Sequence, residues 1–188
     1  MSERLETDRL ILHRLTGDDV DAWLAGDRFG LENRTGARFP ARLEAPPLFV
    51  EDMEAIRDLL RERGDDPTCS SWLMLARTNG AAVGIAGFSR TEDAVVTGYS
   101  VYPALQRMGL ATEGLQALVA WLFEQADVTR LRATIPPDNS RSVRVAEKLG
   151  MELVGKGEDP AVGPVLVYEL VRTGSGSGSG SGQPSAAT

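Results

Sequence analysis

Cysteine occurs once, at Cys69, which excludes an internal disulfide and any cysteine-based metal centre. The lone thiol reads as a small buried filler ahead of a strand, and no metal site is expected. Histidine also occurs once, at His13, inside an apolar run where a solitary imidazole is structural or exposed rather than catalytic. Lysine is confined to Lys148 and Lys156, so the basic residues are almost all arginine. Positive charge is scarce as well: 20 Lys and Arg stand against 27 Asp and Glu, a net charge of −7. A chain so charged lacks what non-specific binding to nucleic acid or an anionic membrane requires, and its surface attracts cationic substrates instead. No apolar run reaches the ~18 residues of a membrane span, and the opening MSERLETDRLILHRL lacks the apolar core of a signal peptide. The expectation is a cytoplasmic protein with neither nucleic acid nor membrane as partner.

The C-terminal stretch 173–188, TGSGSGSGSGQPSAAT, has no residues with which to build a core. It predicts a flexible coil, either an expression linker or a natural tail, and leaves 1–172 as one α/β domain. Within that domain Asp8–Leu15 reads as a strand, and Thr16 with Asp19 as an approximate capping box opening a helix with Val20, Trp23 and Leu24 inward. Residues 27–48 read as irregular, either a lid or a plain connection, and Val50–Leu60 as a helix burying Met53, Ile56 and Leu60. Trp72–Arg77 and Ala82–Ser89 form a hairpin about Asn79-Gly80. Thr129–Ile135 is a strand, Ser140–Leu149 a short helix capped by Gly150, and Met151–Gly155 with Pro164–Val171 a last antiparallel pair.

Residues 95–124, VVTGYSVYPALQRMGLATEGLQALVAWLFE, organise the rest: a strand, a tight loop and an amphipathic helix. Leu115, Leu118, Val119, Leu122 and Phe123 make one apolar stripe, while Gly114 costs about 1 kcal/mol relative to alanine, so tertiary packing must hold this helix. The strand before it and the strand at 129–135 require a parallel crossover. The loop Gln106-Arg107-Met108-Gly109-Leu110-Ala111 has a Q-x-x-G-x-A pattern where the helix begins. Unpaired backbone N–H groups and the helix dipole there favour an anion, and Gly109 and Ala111 allow a diphosphate close to the main chain. Taken alone, such a turn is equally a glycine placed for geometry.

Four stretches together resemble the GNAT superfamily of acyl-CoA-dependent N-acetyltransferases, in particular its Rim-type branch that acetylates ribosomal-protein N-termini. They are LETDRLILHRLTGDDVDAW, GYSVYPALQRMGLATEGL, the N-x-x-S turn of Pro137-Asp138-Asn139-Ser140-Arg141-Ser142, and Glu147-Lys148-Leu149-Gly150-Met151. The resemblance implies a mixed α/β (α+β) sheet of six to seven strands with about four helices and a splayed central parallel pair. It implies acetyl-CoA as donor, with the diphosphate on backbone N–H groups of Gln106, Arg107, Met108, Gly109, Leu110, Ala111 and Thr112. The pantetheine arm would follow Tyr99–Val101, bonding the main chain near Val101, and Asn139 would touch the cofactor, although it also suits a helix N-cap.

The implied chemistry is direct attack of a neutral amine on the thioester. The family's usual helix tyrosine is replaced here by Ala146, and the resemblance points to Ser142 as the hydrogen-bond donor to the departing thiolate, with Tyr99 lining the thioester gap; Tyr168 is assigned to packing. The base is open: Val95-Val96-Thr97 occupy the positions where relatives carry a glutamate, leaving Glu92, Asp93 or Glu113 through water, or an amine that arrives neutral. Glu113 is equally explained by the helix dipole. The acceptor is a protein N-terminus or a small cationic amine, and both monomers and homodimers fit. The alternative is a non-catalytic acyl-CoA-binding module of the same fold.

Overall fold

Alternating burial along the strands and one long apolar helix generate the architecture. The computed structural model describes residues 3–40, 43, 46, 52–125 and 127–172. The expected tail at 173–188 and the expected helix start at Val50 lie outside them. The chain runs β1 (Arg4–Glu6), β2 (Leu10–Arg14), α1 (Gly17–Leu24), α2 (Arg28–Thr35), α3 (Met53–Arg63), β3 (Ser70–Ala76), β4 (Ala82–Arg90), β5 (Val95–Val101), α4 (Leu110–Gln125), β6 (Arg130–Ile135), α5 (Ser140–Lys148), β7 (Glu152–Asp159) and β8 (Gly163–Val171). The strands form one mixed sheet in the order β1-β2-β3-β4-β5-β6-β8-β7, antiparallel except for β5 and β6.

This is the expected class with different counts: eight strands rather than six or seven, and five α-helices rather than about four. The additional helix is α2, inside the segment read as irregular. Only Leu31 and Thr35 are buried along it, so no apolar period announces it. Its ends are nonetheless ordinary: the Asp27 side chain accepts from the Gly30 N–H, and Gly36 closes it with φ 74°. The additional strand is β1, three residues that pair with β2 from Arg4↔His13 to Glu6↔Ile11.

Both faces of the sheet are covered, and β3 shows it most directly. Trp72 and Met74 face α4 and join Leu10, Leu12, Leu115, Leu118 and Leu122, whereas Leu73 and Leu75 face Val20, Trp23, Leu31 and Leu60 of the first three helices. The Thr16–Asp19 capping box forms, with the Asp19 N–H donating to Thr16 Oγ1 at 3.3 Å and the Thr16 N–H to Asp19 Oδ2 at 2.9 Å. Val20 and Trp23 are buried as expected; Leu24, by contrast, is 42 % exposed. Lone His13 is buried, 3.6 Å from Asp19.

Gly114 is explained by how closely α4 seats on the sheet. A Cβ there would stand 2.8 Å from Met74 Sδ and 3.4 Å from Leu10 Cδ1. The missing side chain weakens the isolated helix and lets it approach β2 and β3, which positions its first turn. A third cluster, Ala133, Ile135 and Tyr168 with Ala146 and Met151, fixes α5 on β6 and β8. Tyr168 is therefore a packing residue.

Candidate active site

β5 and β6 run parallel only from Val95↔Leu131 to Val96↔Arg132. Beyond that point β6 continues with β8 on its other side, through Ala133↔Tyr168 to Ile135↔Leu166, and β5 continues with β4. The central pair is splayed. The direction of the β5 main chain in the gap follows from its other neighbour. The Tyr102 N–H donates to the Val83 carbonyl at 3.0 Å, one residue outside the facing pair Gly84↔Val101. That pair therefore exchanges no hydrogen bonds, so the N–H and C=O of Val101, and of Tyr99 two residues earlier, turn away from β4 into the gap.

One cleft of about 660 Å³ runs from this gap to the first turn of α4. It is lined by Tyr99 and Val101, by Gln106, Arg107, Gly109, Leu110, Ala111 and Thr112, and by Asn139 and Ser142. Those are all the site residues expected from sequence except Met108. The structure does not bring Met108 into the cleft: its side chain is 55 % exposed, and its carbonyl accepts from Arg9 Nη1 at 2.9 Å.

The loop ahead of α4 carries two left-handed residues, Arg107 at φ 66° and Gly109 at φ 78°. Glycine adopts that region without strain; arginine gives up about 1–2 kcal/mol to do so, which the surrounding contacts must offset. Left-handed turns of this kind aim main-chain N–H groups at one spot. The first intrahelical bond runs from the Glu113 N–H to the Gly109 carbonyl, so the N–H groups just before it have no acceptor within the helix. An anion at the mouth of α4 meets those donors and the positive end of the helix dipole.

Sequence reasoning missed what holds this turn from behind. Glu113 accepts from Thr7 Oγ1 at 2.5 Å, from the Arg9 N–H at 2.8 Å and from Arg9 Nε at 2.6 Å. Burial opposes its ionisation, but these bonds outweigh it and hold the carboxyl below its usual value. Engaged in this way it is an anchor and no proton acceptor. Glu92 and Asp93 sit in the β4–β5 turn, and from Asp93 to Tyr99 the strand rises about 20 Å. All three carboxylates considered as bases are thereby set aside.

At the other end of the cleft Tyr99 Oη lies 3.1 Å from Ser142 Oγ, joining β5 to α5 across the gap. Ser142 is fixed by its own backbone, whose N–H donates to Asn139 Oδ1 at 3.1 Å. Asn139 is thus the N-cap of α5 and also a wall of the cleft. Burial pushes the Tyr99 hydroxyl above its usual value, and the Ser142 bond draws it only part of the way back. It stays protonated at neutral pH and is a donor.

A strut braces the mouth of the gap. Gln106 Nε2 donates to the Val101 carbonyl at 3.0 Å, and Arg141 Nη1 donates to Gln106 Oε1 at 2.6 Å. Arg141, Arg144 and Lys148, all on α5, line the cleft and were not foreseen. Together with Arg107 they make every charged lining residue cationic, in a chain of net charge −7. The signal lay in the sequence as the i, i+3, i+7 spacing of Arg141, Arg144 and Lys148, legible only once α5 is known to border the cleft. Among the described residues no three His, Cys, Asp or Glu converge as a metal-binding group.

A splayed parallel pair, an anion-binding turn beside it and a hydroxyl pair at the far end suit an extended ligand with a charged end and a reactive end. Residues 9–152 match the acetyltransferase (GNAT) domain, and the chain belongs to that family. It is an N-acetyltransferase, moving an acetyl group to an amine, and acetyl-CoA is the donor that GNAT acetyltransferases use. It is 27% identical over 163 residues to the uncharacterized N-acetyltransferase YjdG of Bacillus subtilis, covering 82% of this chain and 93% of that one. It is also 27% identical over 162 residues to the [ribosomal protein uS5]-alanine N-acetyltransferase of Escherichia coli, covering 83% of this chain and 81% of the other. In fold it is similar to the crystal structure of a ribosomal-protein-S5-alanine acetyltransferase from Vibrio fischeri, with TM-score 0.64 at 15% identity over 90% of this chain and 96% of that one. No helix among the described residues is long and apolar enough to cross a membrane.

Proposed function

We propose that this chain acetylates protein N-termini, holding acetyl-CoA with its diphosphate on the main chain of residues 106–112 and its thioester beside Tyr99 and Ser142. The observation that carries this reading is the hydroxyl pair itself: Tyr99 Oη and Ser142 Oγ are 3.1 Å apart at the inner end of a cleft whose outer end is an anion cradle. The pantetheine arm lies along β5 and is bonded by the main-chain groups of Tyr99 and Val101 that face the gap. Their N–H groups are also the donors available to the tetrahedral oxyanion.

In the reaction the amine nitrogen bonds to the thioester carbon, the C–S bond breaks, and the ammonium proton passes to water. Ser142 donates to the departing sulfur while Tyr99 donates to Ser142. A thiol has a pKa near ~8.5, and Tyr99 sits above the ordinary tyrosine value of about 10, so handing over its proton is uphill. The pair supports the thiolate by hydrogen bonding and keeps its own protons, and the sulfur is protonated by solvent afterwards.

The acceptor follows from what surrounds it. With only cations among the charged lining residues described, the chain offers no carboxylate to strip an ammonium, and a cationic lining itself favours the neutral amine. At pH 7 the neutral fraction of an α-amino group of pKa about 7.7 exceeds that of a lysine of pKa about 10.4 by about 400-fold. A relative named for acetylating an alanine of a ribosomal protein points the same way. The test is a pair of peptides, one with a free N-terminus and no lysine, the other N-blocked with one lysine, followed by thiol release from acetyl-CoA. The ratio of kcat/KM should be about 400 at pH 7 and fall to about 25 at pH 9, where the α-amino group is already neutral. A lysine peptide used as well as the free N-terminus at pH 7 refutes the assignment.

A further inference from the structure

We infer that Arg144 and Lys148 form a second anion site on α5, taking the 3′-phosphate monoester of coenzyme A and selecting it over dephospho-CoA. The inference rests on reading the cleft as the acetyl-CoA site. The diphosphate is already provided for by main-chain donors and the helix dipole at α4, which need no side-chain charge. Yet the facing wall carries a row of cations. Arg141, Arg144 and Lys148 fall at i, i+3 and i+7, on one side of α5 over a rise of about 10 Å.

Two of the three have no internal reason to be there. Arg141 is occupied by Gln106, at 2.6 Å. Arg144 and Lys148 have no hydrogen bond or ion pair to any other described residue, whereas arginines elsewhere, such as Arg9, Arg34, Arg61 and Arg132, are held by carboxylates. In a chain with 27 Asp and Glu, a cleft wall of unneutralised cations is an unbalanced repulsion unless an anion sits against it. The helix dipole accounts for Lys148, in the last turn, but not for Arg144 in the middle or for Arg141 in the first turn, where a cation is disfavoured. Coenzyme A carries one phosphate besides its diphosphate, a dianion on the ribose. Both side chains are exposed, so their replacement leaves the core untouched.

The experiment is calorimetric titration with coenzyme A and with dephospho-CoA, identical except for that phosphate, on the wild type and on an R144Q/K148Q double variant. The wild type should bind coenzyme A about tenfold more tightly than dephospho-CoA, with the difference shrinking in high salt. The double variant should bind both ligands alike, near the wild-type affinity for dephospho-CoA, and Arg144→Lys should keep most of the preference. Equal wild-type affinities overturn the second site and leave the diphosphate cradle standing. A double variant that weakens both ligands equally overturns it too. Binding of neither ligand overturns the site together with the reading on which it rests.

Discussion

Two glycines six residues apart separate the cradle from the scaffold. Gly109 stands at φ 78°, and a Cβ there would also lie 3.4 Å from Arg9 Nη2. Gly109→Ala holds an L-residue in the left-handed region at about 1–2 kcal/mol, and β-branched Gly109→Val more. Gly114→Ala gains about 1 kcal/mol of helix propensity but drives a methyl against Met74 Sδ at 2.8 Å, an overpacking of about 1–3 kcal/mol. Both substitutions therefore cost about 0–2 kcal/mol net, which in a domain of this size lowers Tm by at most about 8 °C. Their effects on the ligand diverge. Relief of strain at 109 rotates the main-chain donors off the anion, so coenzyme A affinity should fall at least tenfold in Gly109→Ala and be lost in Gly109→Val. Gly114 lies outside the cleft and its replacement should leave affinity unchanged. Thermal melts establish that each variant is folded, and calorimetry reads the affinity. A folded Gly109→Val protein that binds coenzyme A like the wild type refutes the cradle.

Ser142→Ala and Tyr99→Phe should each lower kcat about tenfold, short of the 10²–10⁴ of strong general acid catalysis, with little change in the KM for acetyl-CoA. The double variant should be hardly worse than the singles, because the two hydroxyls act as a chain; multiplied effects in single-turnover assays would show that they act separately. Burial opposes ionisation of Asp19, but His13, Thr16 and Arg34 outweigh it and hold its carboxyl far below the usual carboxylate range. Its contribution is present above the unfolded value of about 3.9 and is lost as pH falls through the depressed folded value. Asp19→Asn should thus destabilise the protein by about 1–2 kcal/mol at pH 7, a cost that narrows steadily below pH 4 in denaturant titrations; an equal cost at pH 7 and pH 2 would contradict it.

Features governed by local periodicity were legible in the sequence. The α4 stripe of Leu115, Leu118, Val119 and Leu122 is buried, the Asn79-Gly80 hairpin joins β3 to β4, and Gly150 caps α5 with φ 79°. Most of the site was legible as well, because Gln106–Thr112, Tyr99 and Ser142 lie in contiguous motifs. What escaped depends on tertiary proximity. Helix α2 buries too few residues to show a period. Arg9 and Glu113 are 104 positions apart, and no pattern along the chain announces that they meet. Met108 belongs to the motif by position but turns outward, since its two left-handed neighbours send its side chain away from the cleft.

The parting of β5 from β6 leaves the sheet with a third edge, in its middle rather than at a rim. Most folds cover or charge such an edge to keep stray strands from adding to it. Here Gln106 shields one carbonyl of it, and the narrow wedge between two packed layers admits a slender chain but no second polypeptide strand with its side chains. What would be a defect elsewhere becomes a filter on ligand shape: a thin amide-bearing arm can serve as the missing rung, and while it does so the two halves of the sheet are stitched together.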